Sequence, residues 1–164
     1  MLVVEQLQAK RHHREDFVCG EPTLDSYLRQ QATQHHRAGI STTHVLVDDS
    51  DPTCILGYYS LSAAQLLLSD LQDSDRKRLP NYPVPAIRMG RLAVSSSAQG
   101  KGYGDYLLAH AVARCLGLRE QLGLRVLLVD ALHERAACFY RAYGFREATT
   151  NAHSLYLPLG QAEI

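Results

Sequence analysis

The stretch Arg91-Leu92-Ala93-Val94-Ser95-Ser96-Ser97-Ala98-Gln99-Gly100-Lys101-Gly102-Tyr103-Gly104 decides how this chain is read. Apolar residues give way to a short run of small polar ones, and glycines then alternate at 100, 102 and 104. Beyond them Leu107, Leu108, Ala111, Val112, Cys115 and Leu116 recur at helical spacing, so the order is strand, loop, helix. Glycines at such a junction let the backbone come close to a ligand and leave the first helical N–H groups pointing at it. The partial positive charge at that end favours a phosphate. Glycines here also suit a tight packing turn. Neither the dinucleotide pattern G-x-G-x-x-G nor the P-loop pattern fits, because the last small residue and the Lys-Ser/Thr pair are both missing. What fits is Gln-x-x-Gly-x-Gly, filled by Gln99, Gly102 and Gly104.

Composition suits one domain with a real core across residues 1–164: 46% of residues are hydrophobic and 21% charged. No apolar run approaches the roughly 20 residues of a membrane span. The start, Met1-Leu2-Val3-Val4-Glu5, has no basic region ahead of an apolar segment, so a secretory signal is not expected. Cys19, Cys54, Cys115 and Cys138 are scattered without a C-x-x-C pair, which points to a reducing, cytoplasmic compartment. Cys115 and Cys138 read as small buried hydrophobes on helix faces. The histidine pairs His12-His13 and His35-His36 are poor chelates, so no metal is expected and surface or phosphate-contacting roles are. Net charge is zero, but 14 arginines stand against 3 lysines. Arginine's planar fork suits phosphate and carboxylate. Basic residues cluster at 10–14, 35–37 and 76–78, where they are also compatible with plain solvated surface.

In chain order, Val3 to Leu7 reads as a strand and Pro22 to about His36 as an amphipathic helix. His44–Val47 and Ile55–Leu61 make a hairpin around an Asp/Ser/Pro-rich turn. Ser69 to Leu79 reads as helix, Pro80, Pro83 and Pro85 as an extended linker, and Ala86 to Val94 as the strand entering the glycine loop. A helix over 103–122 follows. Val126–Val129 is apolar throughout, as in a strand buried on both faces. Glu134 to Tyr143 is a helix stopped by Gly144, and Leu155–Leu157 a last strand. The fold class is α+β or α/β, a mixed sheet flanked by helices.

A second segment joins the glycine loop: Ala136-Ala137-Cys138-Phe139-Tyr140-Arg141-Ala142-Tyr143-Gly144-Phe145. Acyl transfer from a thioester to an amine needs a neutral amine held near the carbonyl, donors for the developing oxyanion, and an acid for the leaving thiolate. A phenol can be that acid, and strand-end N–H groups can be the donors. No Ser/His/Asp or Cys/His arrangement is readable, and Cys138 has no evident activating partner.

Together the two segments resemble the GNAT N-acetyltransferase superfamily. The first, with Leu-Ala-Val upstream, is similar to its acyl-CoA pyrophosphate loop. The second is similar to its Ala-x-x-Phe/Leu-Tyr-x-x-x-Gly-Phe hallmark. The resemblance implies acetyl-CoA as cofactor. Its pyrophosphate would lie on Gln99, Gly100, Lys101, Gly102, Tyr103 and Gly104. Its pantetheine arm would lie along Leu92, Ala93 and Val94, where the next strand splays away, and Tyr140 would protonate the thiolate. Many members carry Asn where this chain has His133.

The likeness extends along nearly the whole chain. Phe17-x-Cys19-Gly20-x3-Leu24-Asp25-x2-Leu28, Gly57-Tyr58-Tyr59-Ser60-Leu61 and Leu79-Pro80-x-Tyr82-Pro83-Val84-Pro85-x3-Arg88-x2-Arg91 resemble the GNAT toxins of bacterial toxin–antitoxin pairs. Those toxins acetylate the α-amino group of aminoacyl-tRNA and block translation. They are restrained by an antitoxin with a ribbon-helix-helix domain and an extended tail, and many are homodimers. On that reading Arg76, Lys77, Arg78, Arg88 and Arg91 would contact phosphates of the substrate. Tyr58 and Tyr59 would help shape the pocket for its amino acid. A GNAT enzyme acting on a peptide or small-molecule amine, and a non-catalytic acyl-CoA-binding partner protein, are the alternatives. The former would want an acidic pocket, and no acidic cluster adjoins either motif.

Overall fold

The computed structural model describes residues 1–160. Its elements are β1 (Leu2–Gln6), α1 (Pro22–Ser26), a π-helical turn (Tyr27–Gln31), α2 (Ala32–Arg37), β2 (Thr42–Asp48), β3 (Gly57–Leu66), α3 (Asp73–Arg76), β4 (Val84–Val94), α4 (Tyr103–Leu118), β5 (Val126–Asp130), α5 (Glu134–Tyr143), β6 (Arg146–Ala148) and β7 (Asn151–Pro158). The strands form a mixed seven-stranded sheet in the order β1-β2-β3-β4-β5-β7-β6. The chain packs as two compact units, one of residues 1–62 and 90–111, the other of 63–89 and 112 onward.

In the first unit β1, β2 and β3 are antiparallel, with Val3 opposite Val47 and Val45 opposite Tyr58. Their core face buries Val45, Val47 and Tyr58 against Phe17, Leu24, Leu28 and Ala93. Each fully buried side chain of this size stabilises the fold by about 1.5–3 kcal/mol. The helix does begin at Pro22, but a π-helical turn interrupts it from Tyr27 to Gln31. Apolar spacing alone cannot show such an interruption, because it changes the hydrogen-bond ring and not the residue types. Gly57 lies where β3 passes β4: a Cβ there would fall 2.7 Å from the Ala93 carbonyl oxygen.

In the second unit β4 runs parallel to β5, Ala86 opposite Val126 and Met89 opposite Val129. As its apolar run predicts, β5 is buried from Val126 to Val129. β7 pairs antiparallel with β5 and with the short β6, a strand that the sequence pattern does not announce. Where the pattern predicts a helix over Ser69–Leu79, only a 3₁₀ turn at Leu68–Asp70 and the single turn α3 form. Acidic side chains explain it. The Asp70 carboxylate accepts the Leu67 N–H at 3.0 Å, and Asp75 takes the Tyr156 hydroxyl and pairs with Arg146. The segment is thus fastened to β6 and β7 instead of extending its own helix.

Two further expectations are corrected. Cys115 is buried, but Cys138 is exposed, its thiol 3.7 Å from a Glu134 carboxylate oxygen. His12 is buried, not on the surface. Its Nδ1 accepts the Gln8 N–H at 3.0 Å, so Nε2 carries the proton and meets Glu5 at 2.7 Å.

Candidate active site

The glycine loop belongs wholly to the first unit. Leaving β4, the chain makes a 3₁₀ turn at Ser96–Ala98 and starts α4 at Tyr103. Gly100 and Gly102 have φ of 82° and 81°, the left-handed region that glycine enters without penalty. A Cβ built at either would meet nothing within 4 Å, so the loop's outer side is clear of protein. The first N–H groups of α4 have no intrahelical acceptors. Lys101 is exposed beside them.

Gln99 serves the loop and not its open side. Its amide nitrogen donates to the Cys19 carbonyl at 2.8 Å and to the Val94 carbonyl at 3.0 Å, which uses both N–H bonds. The Ser95 N–H donates to Leu56 and the Ser96 N–H to Val18. The loop is therefore held by the protein's own hydrogen bonds.

The second unit carries α5. His133 caps it, its Nδ1 accepting the Ala136 N–H at 3.2 Å. A side-chain acceptor is what this cap position needs, a role that Asn would fill equally well. Tyr140 is 7% exposed, its ring 5.3 Å from those of Phe139 and Phe145. Burial raises the pKa of its phenol well above the ordinary range, so the hydroxyl stays protonated at every physiological pH.

The basic residues separate. Arg88 pairs with Asp130, and Arg76 with Asp73. Lys77 and Arg78 are exposed, and Arg78 adopts φ 67°, unusual for a residue with a side chain. Arg91 lies over the Tyr27 ring, 3.4 Å from its centroid, and among the described residues it has no carboxylate partner. The Tyr27 hydroxyl is held by Ser41 at 2.6 Å and His35 at 3.1 Å. Tyr58 and Tyr59, expected to help shape the amino-acid pocket, lie in the core. Both are fully buried, with the Tyr58 hydroxyl donating to the Leu24 carbonyl and the Tyr59 hydroxyl bonded to His110.

Neither buried cysteine, Cys19 nor Cys115, is poised as a nucleophile. Burial, helped by the Asp25 carboxylate, pushes the Cys19 thiol up to about 12. Among the described residues no group of three His, Cys, Asp or Glu side chains could hold a metal. No helix among them is long and apolar enough to cross a membrane.

Comparison with known proteins agrees with this geometry. A family model described as an acetyltransferase (GNAT) domain matches residues 42–147. The chain is 37% identical over 146 residues to a tRNA-acetylating toxin of Mycobacterium tuberculosis, covering 89% of this chain and 86% of that one. The solved structure of AtaT complexed with acetyl-methionyl-tRNAfMet has a TM-score of 0.90 at 30% identity, covering 96% of this chain and 95% of that one. A tyrosine-to-phenylalanine mutant of AtaT, bound to the C-terminus of the antitoxin AtaR and acetyl-CoA, has a TM-score of 0.82 at 28% identity. It covers 96% of this chain and 93% of that one. With a strand, a left-handed glycine loop and a helix in sequence, and a buried tyrosine on the helix after the next strand, the chain belongs to the GNAT acetyltransferase family.

Proposed function

We propose that the chain is a single-domain acetyl-CoA-dependent N-acetyltransferase that acetylates the α-amino group of aminoacyl-tRNA and so acts as a toxin on translation. The observation that carries the cofactor half is the pair of left-handed glycines, Gly100 and Gly102, with open space outside them at the start of α4. Such a cradle fits a diphosphate, which needs close backbone approach and N–H donors. The substrate half is supported by the tRNA-acetylating relative and by the AtaT complex with acetyl-methionyl-tRNAfMet.

Acetyl-CoA supplies an acyl group activated as a thioester. The loop from Gly100 to Gly104 holds the diphosphate, braced from inside by Gln99, and the strand end Leu92–Val94 offers backbone groups to the pantetheine arm. The α-amino group ordinarily titrates near 7.7–8.0, so a useful fraction is neutral at pH 7 and no strong base is required. Tyr140 donates its proton to the sulfur as the C–S bond breaks, and the proton that the newly acylated nitrogen gives up returns through solvent to the phenolate. Being a weaker acid than a free phenol, Tyr140 delivers the proton late, when the sulfur carries most of its negative charge. Arg91, without a carboxylate of its own, meets a phosphate of the acceptor end, and Lys77 and Arg78 add exposed charge. Arg88 and Arg76 contribute less, since a phosphate would have to displace Asp130 or Asp73.

The toxin works in the cytoplasm, where aminoacyl-tRNA is made. Its antitoxin has a ribbon-helix-helix domain and a C-terminal tail that lies on the toxin, as the AtaR C-terminus is bound by AtaT. The toxin itself is a homodimer. The decisive experiment gives purified protein radiolabelled acetyl-CoA with charged tRNA, peptides and polyamines in parallel. Label should pass to aminoacyl-tRNA and be recovered as N-acetyl-aminoacyl-tRNA. Transfer to a polyamine or peptide alone would overturn the tRNA reading.

A further inference from the structure

The front motif Phe17-x-Cys19-Gly20-x3-Leu24-Asp25 has no part in the chemistry above, yet the fold wraps it around the cofactor loop. Four backbone groups between the Phe17 carbonyl and the Cys19 carbonyl are tied down. The Phe17 carbonyl accepts from Arg29, and the Val18 carbonyl accepts the Ser96 N–H at 2.7 Å. The Cys19 N–H donates to the Asp25 carboxylate at 2.8 Å, and the Cys19 carbonyl accepts the Gln99 amide at 2.8 Å. Gln99 also holds the Val94 carbonyl at the end of β4. Two of these bonds thus reach the cofactor loop, one at its start through Ser96 and one further along through Gln99.

Asp25 is the outer anchor of this chain of bonds. It is only 8% exposed, and its own N–H is tied to the Glu21 carbonyl in the first turn of α1. A carboxylate buried to this extent is costly unless it accepts strong hydrogen bonds, and here it takes the Cys19 N–H. The carbonyl of that same peptide unit, Val18, is the acceptor for Ser96. The hydrogen bond to Asp25 therefore orients the peptide that grips the loop's start, and with it the Cys19 carbonyl that grips Gln99. Gly20, at φ 97°, turns the chain immediately after that carbonyl and so lets it return toward Asp25.

We infer that Asp25 is a positioning residue for acetyl-CoA binding, acting through the Val18–Cys19 peptide on Ser96 and through the Cys19 carbonyl on Gln99. The inference rests on the acetyl-CoA reading of the loop. A loop held in its bound shape loses less conformational freedom on binding, so the brace acts on affinity more than on the chemical step.

Calorimetry with acetyl-CoA and steady-state kinetics would test this on the full chain. Asp25→Ala should weaken acetyl-CoA binding about tenfold, the scale of one charge-assisted hydrogen bond, with kcat at saturating acetyl-CoA largely kept. Asp25→Asn retains an acceptor oxygen for the Cys19 N–H and should recover most of the affinity. Gln99→Ala should weaken binding similarly, and the double variant should be little worse than either single one. Should Asp25→Ala not fold, Gln99→Glu decides. Residue 99 is exposed enough to accept the charge, and a carboxylate cannot donate to two carbonyls, so binding should fall more than with Gln99→Ala. Losses that multiply in the double variant, or wild-type affinity in Asp25→Ala or Gln99→Glu, would overturn the brace. If the wild-type chain itself fails to bind acetyl-CoA, the reading of the loop is wrong and the brace falls with it.

Discussion

In the loop from Gln99 to Gly104 the backbone is displayed: two left-handed glycines turn it outward, and the amide of Gln99 faces back into the protein. In α5 the backbone is consumed by the helix and a single buried phenol, Tyr140, is what the segment offers. The two hallmark segments therefore fail in different ways. A backbone site tolerates changes of side chain but not of φ or of its supports. A side-chain site tolerates changes around it but not the loss of one hydroxyl.

The largest effect tests the side-chain half. Tyr140→Phe keeps the ring among Phe139 and Phe145 and removes only the hydroxyl. Turnover should fall by about 10²–10⁴-fold with acetyl-CoA affinity near wild type. A fully active variant would mean that solvent protonates the thiolate. The pH profile follows from the sign of the shift. Because burial raises the phenol's pKa, its neutral form persists beyond the ordinary phenol value, and kcat should not decline through about pH 9 on its account. The same raised value means that its contribution to stability is complete below the unfolded pKa and is lost as pH rises through the folded one.

Next comes the backbone half. Gly102→Ala adds one methyl that meets no protein atom, yet it must adopt φ 81°. That conformation costs a non-glycine residue about 1–2 kcal/mol, so acetyl-CoA affinity should fall by about tenfold as the loop relaxes out of shape. Gly117→Ala, on the helix that the loop opens, is the control. It also meets nothing within 4 Å, its φ is not positive, and it should stabilise the protein by about 0.5–1 kcal/mol without touching affinity. Equal affinity in the Gly102 and Gly117 variants would break the comparison.

The same contrast explains what is legible in the sequence. Helix α5 is readable to its last residue because Gly144 stops it locally, and β5 because an apolar run needs no partner to be recognised. The glycine loop is readable as a pattern, but Gln99's inward role is not, since Cys19 lies 80 residues away in sequence. The burial of His12, Tyr58 and Tyr59 escapes for the same reason: it depends on what distant parts of the chain pack over them. Cys138 misleads because its neighbours on α5 are apolar while its own face of the helix is wet. The π-helical turn and β6 escape because neither has a periodicity distinct from its surroundings.

The smallest effect sharpens the comparison within one strand. Arg88 and Arg91 both lie on β4 but have different partners. Arg88 is neutralised by Asp130, whereas Arg91 rests on an aromatic ring that leaves its charge and its planar fork available to an anion. If Arg91 meets a tRNA phosphate, binding releases counterions, and log affinity falls with log salt by about 0.7–0.9 for each phosphate neutralised. Kinetics on aminoacyl-tRNA should be run across salt concentrations with acetyl-CoA saturating. Arg91→Ala should make the slope shallower by about one unit and raise KM, whereas Arg88→Ala should leave the slope as it is. Arg91→Lys separates charge from shape. It should keep the slope, because the charge remains, and still raise KM, because a point charge neither forks onto a phosphate nor stacks on Tyr27 in the same way. Equal slopes for Arg91→Ala and wild type would remove Arg91 from the tRNA surface and leave its contact with Tyr27 as packing.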